Sequence, residues 1–205
     1  MLEVGDPLET ERLLLRPFVH GDFHALFAIR SREDVARYLY WGPQTESEVR
    51  ATLEQKIAGR AIRSEGDVLH LAVVLKATGE MVGDVVLKWV SEEHGQGEVG
   101  YIVHPDHHGR GYATEAIRKL LRVAFEELHL HRVIGHLEAR NAASARVLEK
   151  VGMRREAHFV EDEFVKGEWQ SALVYAILDR EWRSARGGGS GGGGGSPAGE
   201  ARRFF

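Results

Sequence analysis

The sequence predicts an α/β (α+β) domain in which helices pack on the faces of one mixed, mostly antiparallel sheet. Two observations carry this expectation. Hydrophobic periodicity runs strand, two helices, three strands, helix, strand, helix, two strands along the chain. Hairpins join most of the strands and leave only two central crossovers, which argues against the alternating order of a doubly wound fold. About seven strands and about four helices follow from this order. At 205 residues and 43% hydrophobic composition, the chain is long enough to bury one core, so one domain is expected.

Each element has its own signal. "TERLLLRPF" alternates and stops at a proline, which suits a first strand. "HGDFHALFAIRSREDVARYLY" has helical spacing throughout, and "TESEVRATLEQKIAGRAI" is a second helix opened by Thr45 with Glu48 as a capping box. "VLHLAVVLKA", "EMVGDVVLKWV" and "GEVGYIVH" read as strands, the first two joined by a turn at Thr78 and Gly79. Ala113, Ala116, Ile117, Leu120, Leu121, Ala124 and Leu128 then share one helical face. A strand "RVIGHLEA", a helix over residues 141–150 ended by Gly152, and two strands parted near Lys166 and Gly167 complete the domain, expected over residues 1–183. Residues 184–205, with "RGGGSGGGGGSPAGEARRFF", have the composition of a flexible linker or tail, and Phe204 and Phe205 at its tip leave a docking peptide as the alternative.

Composition removes several classes of function. A net charge of −4 argues against a nucleic-acid reader that works by bulk phosphate attraction. The absence of cysteine excludes disulfides, thiolate metal sites and a cysteine nucleophile. No apolar run approaches the roughly 20 residues of a membrane span, and "MLEVGDPLETERLLLRP" lacks a signal-peptide core, so a cytoplasmic location without membrane partners is expected.

The segment with the clearest chemistry is "VHPDHHGRGYATEA". A glycine-rich turn entering a helix presents unpaired backbone N–H groups and the positive end of the helix dipole, which suit a pyrophosphate. Gly109 and Gly111 let a ligand approach the backbone, although such a turn also occurs without a ligand. A P-loop is ruled out because no lysine followed by Ser or Thr stands here, and a dinucleotide fingerprint fails because Thr114 occupies the third glycine position.

The segment resembles the acetyl-CoA pyrophosphate motif of the GCN5-related N-acetyltransferases (GNAT), Q/R-x-x-G-x-G/A, set five positions after a strand valine. Val103 fits the valine, Gly111 and Ala113 fit the small positions, and His108 replaces the usual Gln or Arg. "NAASARVLEKVGMRREAHF" resembles the family's downstream N-x-x-S motif, and "ERLLLRPF" resembles the opening strand of the ribosomal-protein (RimJ/RimL-like) branch. The resemblance covers about residues 9–183.

This resemblance implies a GNAT fold whose sheet splays between two parallel central strands, "VGYIV" and "RVIGHLEA", with the pantetheine arm in the opening. Backbone groups near Ile102 and Val103 would align the thioester. The N–H groups of His108, Gly109, Arg110, Gly111, Tyr112 and Ala113 would hold the pyrophosphate, and the Arg110 side chain would approach the CoA phosphates. Asn141 would place CoA while also capping its helix, and Ser144 would assist the leaving thiolate. No metal is expected, despite His104, His107 and His108 in one loop.

The implied reaction is direct transfer of acetyl to a primary amine in a ternary complex. The amine must be neutral to attack; about one tenth of an α-amine but under one thousandth of a lysine amine is neutral at pH 7. A protein N-terminal α-amine is therefore the expected acceptor. A small amine (polyamine, aminoglycoside or amino-acid derivative) and a non-catalytic acyl-CoA-binding module are the alternatives. Glu98, His158, Glu161 and Glu163 are the candidate bases, each with a structural reading as well: a strand-end carboxylate, a packed histidine, a solvated charge run. Phe23, Tyr38, Tyr40 and Trp41 belong either to the core or to an acceptor wall. Monomer and homodimer are both compatible with the sequence.

Overall fold

The computed structural model describes residues 1–187; the expected tail lies outside the described residues from position 188 onward. Eight strands form the main sheet: β2 (Leu8–Glu9), β3 (Leu13–Arg16), β5 (Val68–Leu75), β6 (Met81–Ser91), β7 (Gln96–Val103), β8 (Arg132–Glu138), β9 (Arg154–Val165) and β10 (Glu168–Leu178). Their order across the sheet is β2-β3-β5-β6-β7-β8-β10-β9. Two very short strands, β1 (Leu2–Glu3) and β4 (Ala61–Ile62), pair separately. The helices are α1 (Phe23–Arg30), α2 (Glu33–Ala36), α3 (Glu46–Ala58), α4 (Tyr112–Arg122), α5 (Ala142–Lys150) and α6 (Asp179–Gly187).

Side-chain alternation sorts the sheet into two faces. Leu69, Leu71, Val85, Leu87, Val99 and Val133 point to the larger core, where α4 buries Ile117, Leu120 and Leu121. Their neighbours Ala72 and Val74 point the other way, into a smaller core with Leu26 of α1 and Val49 and Leu53 of α3. On that second face β5, β6 and β8 also carry His70, Asp84 and Glu138, polar residues in places where a simple two-layer fold would bury aliphatics.

Among the described residues only one pair of neighbouring strands is parallel. β7 and β8 pair over Gln96↔Arg132, Gly97↔Val133 and Glu98↔Ile134, and no further. Past that point β7 stays bonded to β6 up to Val103, while β8 stays bonded to β10 up to Glu138. The sheet therefore splits into a wedge, with α4 and α5 beginning at its two lips. Close packing of α5 on β8 depends on Gly135, where an added Cβ would lie 2.7 Å from Leu148 Cδ1.

Three elements differ in detail from the sequence reading. The single helix expected over "HGDFHALFAIRSREDVARYLY" breaks after α1, where the Ser31 hydroxyl turns back to the Phe27 carbonyl (2.7 Å) and Arg32 is extended (φ −89°, ψ 134°). The hydrogen bond from Gln44 N–H to Arg30 O then fixes the exit of the following loop. The helix of α4 continues as a π-helical turn over Val123–Glu127. The last strand passes directly into α6, whose Trp182 packs on Phe125 with ring centroids 6.0 Å apart. The Thr45 capping box forms as read, Glu48 accepting from Thr45 N–H at 2.7 Å.

Candidate active site

Two cavities open on the wedge. One, of about 440 Å³, runs along the turn before α4 and the start of α5; the other, of about 560 Å³, lies under α1, α3 and the loop between α2 and α3. Six residues line both: Tyr38, Leu39, Tyr101, Ile102, Asn141 and Ser144. A group entering from either side meets the other at this shared wall.

The first cavity has the features of an anion cradle. Gly109 (φ 75°) and Gly111 (φ 82°) are left-handed, and Gly111 is the N-cap of α4 with no side chain to cap the helix. Among the described residues, the N–H groups of Gly109, Arg110, Gly111, Tyr112, Ala113 and Thr114 donate to no protein acceptor. Six consecutive free donors at the positive end of a three-turn helix suit a pyrophosphate, so these residues fit the CoA expected from the motif. The frame around them is rigid. Glu115 accepts from Thr10 Oγ1 (2.6 Å), Arg12 N–H (2.8 Å) and Arg12 Nε (2.7 Å), and Arg12 Nη1 donates to the Arg110 carbonyl (2.9 Å).

Not every expected contact is a side-chain contact. Arg110 does not line the cavity, and its carbonyl accepts from Arg12. His108 folds back, its Nε2 lying 2.8 Å from the Val103 carbonyl, and so pins the turn to the end of β7. His104 Nδ1 accepts from Asp106 N–H, and His107 Nε2 contacts Glu80 (3.2 Å). These rings serve local structure; among the described residues no cluster of three or more His, Asp or Glu is arranged to hold a metal. His104 N–H donates to Val82 O, so by the alternation of an antiparallel ladder the main chain of Ile102 turns to β6, while that of Tyr101 turns into the wedge.

Asn141 caps α5, accepting from Ser144 N–H at 3.0 Å. Ser144 Oγ lies 2.6 Å from the Tyr101 hydroxyl, which also reaches the Ser144 carbonyl at 2.8 Å. With one proton each, a consistent arrangement has Tyr101 donating to the carbonyl and Ser144 donating to the Tyr101 oxygen. Burial pushes the Tyr101 hydroxyl up to about 12, so it remains protonated at neutral pH.

The second cavity is lined with charge. Glu138 accepts from Arg140 Nε through Oε1 (2.8 Å), while its Oε2 is buried without a protein partner. Glu163 also lines this cavity, and burial first and the Glu163 carboxylate second push the Tyr40 hydroxyl up to about 12. Deeper in, Lys56 Nζ bonds Asp84 Oδ1 at 2.8 Å with both side chains almost fully buried. His70 is beside them, pushed down to about 4 by burial first and by the Lys56 charge second. Lys166 Nζ donates to the Ala36 carbonyl (2.7 Å) and so ties the β9–β10 hairpin to the loop that carries Tyr38 and Tyr40.

Three of the four candidate bases are not brought to the cavities, and only Glu163 lines one. His158 pairs with Leu173, whose side chain points to the larger core, so His158 shares that face of the sheet and lies on the side away from the second cavity. Glu98 shares a face with Gly100 and Ile102 but sits at the closed end of the wedge, opposite Lys88. Glu161, at a left-handed position (φ 49°) in an irregular part of β9, is exposed and lines neither cavity. Tyr101, Glu138, Arg30, Lys56 and Asp84 carry no signal of a site in the sequence, because each reads there as an ordinary strand or helix residue.

The acetyltransferase (GNAT) domain model matches residues 12–154. The chain belongs to the GNAT acetyltransferase family. This GNAT protein is 32% identical to the Bacillus subtilis protein named uncharacterized N-acetyltransferase YnaD, over 85% of this chain and 98% of the relative. It is 26% identical to the spermidine N(1)-acetyltransferase of Vibrio cholerae, over 84% and 96% of the two chains. The crystal structure of a GNAT-family acetyltransferase from Bacillus anthracis superposes with a TM-score of 0.77 at 32% identity, covering 85% of this chain and 99% of that one. The GNAT fold is thus shown, and the protein is an acyltransferase.

Replacing Gly111 by valine is expected to weaken acetyl-CoA binding about tenfold or more. A side chain at φ 82° costs roughly 1–2 kcal/mol of strain and stands among the free N–H donors. Calorimetric titration of the variant with acetyl-CoA measures this directly.

Proposed function

We propose that this protein moves the acetyl group of acetyl-CoA directly onto a primary α-amine, in the manner of the RimJ/RimL-like branch. The observation that carries the reading is the shared wall at the wedge, where an anion cradle of free N–H groups meets a second cavity holding an unpartnered carboxylate oxygen.

When bound, acetyl-CoA supplies an acetyl thioester. The N–H groups of residues 109–114 bind its pyrophosphate, and Asn141 at the shared wall helps to place the arm. The Tyr101 N–H, turned into the wedge, answers the need for a donor where negative charge collects on the acyl oxygen. Glu138 Oε2 takes the proton that the amine nitrogen gives up as it bonds to the acyl carbon. As the carbon–sulfur bond breaks, Ser144 gives its hydroxyl proton to the departing sulfur; solvent returns a proton to Ser144 through the Tyr101 hydroxyl, and Glu138 releases the amine's proton to solvent. No residue of the chain is acylated, in keeping with the absence of cysteine.

Tyr101→Phe is expected to lower kcat about tenfold to a hundredfold with little change in acetyl-CoA affinity, as measured by CoA release and by titration. Capture of an acetylated form of the protein that goes on to acetylate an added amine at the turnover rate would overturn the direct-transfer reading. A polyamine acceptor is the second reading. It is favoured by the carboxylates Glu138 and Glu163 in the cavity and by the name of the Vibrio cholerae relative. CoA release with spermidine beside α-amine acceptors separates the two.

A further inference from the structure

Arg30 is the residue of the second cavity that the reaction above leaves unused. It is 7% exposed and lines the cavity. Its Nε donates to Gln44 Oε1 at 2.6 Å, and its guanidinium lies over the Trp41 ring with Cζ 4.1 Å from the centroid. Among the described residues no carboxylate lies within salt-bridge distance of it, and its two terminal nitrogens have no protein acceptor. Burial accordingly pulls its pKa below the usual arginine range.

A buried guanidinium without a hydrogen-bonded counter-ion is costly, and the charge of Asp84, beyond salt-bridge distance, offsets only part of that cost. Trp41 and Gln44 instead hold the group by its face and its Nε edge, leaving the terminal fork free. That fork matches a planar carboxylate in a bidentate pair. The charges around it set the magnitude of what can dock. Arg30 and Lys56 are positive and Asp84 is negative, with His70 neutral at pH 7, so the inner end of the cavity carries one net positive charge. This suits a single negative charge, and a dianion such as a phosphate monoester would face Asp84 uncompensated. The other end of the cavity carries Glu138 and Glu163, which suit an amine.

We propose that the acceptor is a small amine that also bears a carboxylate, an amino-acid-type molecule whose carboxylate docks on the Arg30 fork while its amine reaches the wedge. The proposal rests on the reading of the second cavity as the acceptor site. It favours the amino-acid derivative over the polyamine, because a polycation placed along this cavity would bring an ammonium against Arg30 and Lys56.

The test uses matched pairs. Alanine, aspartate and glutamate are each compared with their α-amides, and aspartate and glutamate also with asparagine and glutamine, with spermidine as a further acceptor. CoA release gives kcat/KM, and calorimetry on the CoA-loaded protein gives binding without turnover. Loss of the recognised carboxylate is expected to lower both by roughly tenfold to a hundredfold. In Arg30→Gln the ratio between a carboxylate and its amide is expected to collapse towards one, and in Arg30→Lys, which keeps the charge but not the fork, to fall between the two. Thermal unfolding of both variants establishes that each is folded. Equal use of acids and amides, a preference for spermidine, or an unchanged ratio in a folded Arg30→Gln overturns the proposal and leaves acetyl transfer standing. Arg30-dependent binding of the acids with no turnover of any amine retains carboxylate recognition and overturns the transfer reading. Absence of both binding and turnover overturns the proposal as well.

Discussion

Glu138→Gln is expected to lower kcat about 100- to 10,000-fold, the range that a positioned proton acceptor contributes. The substitution is close to isosteric, and the amide oxygen can still accept from Arg140 Nε, so the start of α5 and the CoA side of the wedge should be undisturbed. What is lost is an anionic oxygen in the cavity with no protein donor to neutralise it. The variant would then depend on amine that arrives already neutral. Its deficit against the wild type should therefore narrow as pH rises towards the pKa of the amine, near 7.8 for an α-amine. Steady-state CoA release from pH 6 to 9, alongside calorimetric titration with acetyl-CoA, checks both parts. A fall in acetyl-CoA affinity equal to the fall in rate would mean that Glu138 supports the fold of the wedge and does not take the proton.

Lys56→Met is expected to destabilise the protein by about 3–5 kcal/mol, because it leaves the buried Asp84 without its hydrogen-bonded partner, with only the more distant Arg30 charge near it. Lys56 is 4% exposed and Asp84 2% exposed, so solvent screening does little to moderate the loss. Asp84 Oδ2 has no other hydrogen-bond partner to fall back on. For a domain of this size the loss corresponds to a Tm lower by about 6–20 °C. Adding Asp84→Leu should restore most of the stability, since removing both charges also removes their desolvation cost. Thermal denaturation of the two variants measures the cycle. If the double variant is no more stable than Lys56→Met, the pair is not what makes the single change costly.

Local patterns announced much of the fold. The strands around the Thr78–Gly79 and Lys166–Gly167 turns, the amphipathic α4 and the capped α3 each follow from periodicity or capping over a few neighbouring residues. So does the anion cradle: free N–H groups at a glycine-rich helix start are a property of one continuous segment, and the sequence order alone places them there. The break after α1 was harder to see, because it depends on Gln44, fourteen residues further on, taking the Arg30 carbonyl and guanidinium. A helical pattern has no way to register that competition.

The order of the elements, the mixed sheet, the glycine turn and the two family motifs are thus legible along the chain, because each rests on short-range patterns. Which charged residues share a cavity depends on long-range packing. Arg30, Lys56, Asp84 and Glu138 come from α1, α3, β6 and β8, and they meet because alternation turns Asp84 and Glu138 to the sheet face that α1 and α3 cover. The same rule separates His158 from them, since its partner Leu173 points to the opposite core. The parting of β7 from β8 after Glu98 and Ile134 was implied by the family resemblance, but its position in this chain depends on which strand each keeps as a partner beyond that point, β6 for one and β10 for the other. That choice is made by hydrogen bonds between strands far apart in sequence, and no local pattern encodes it.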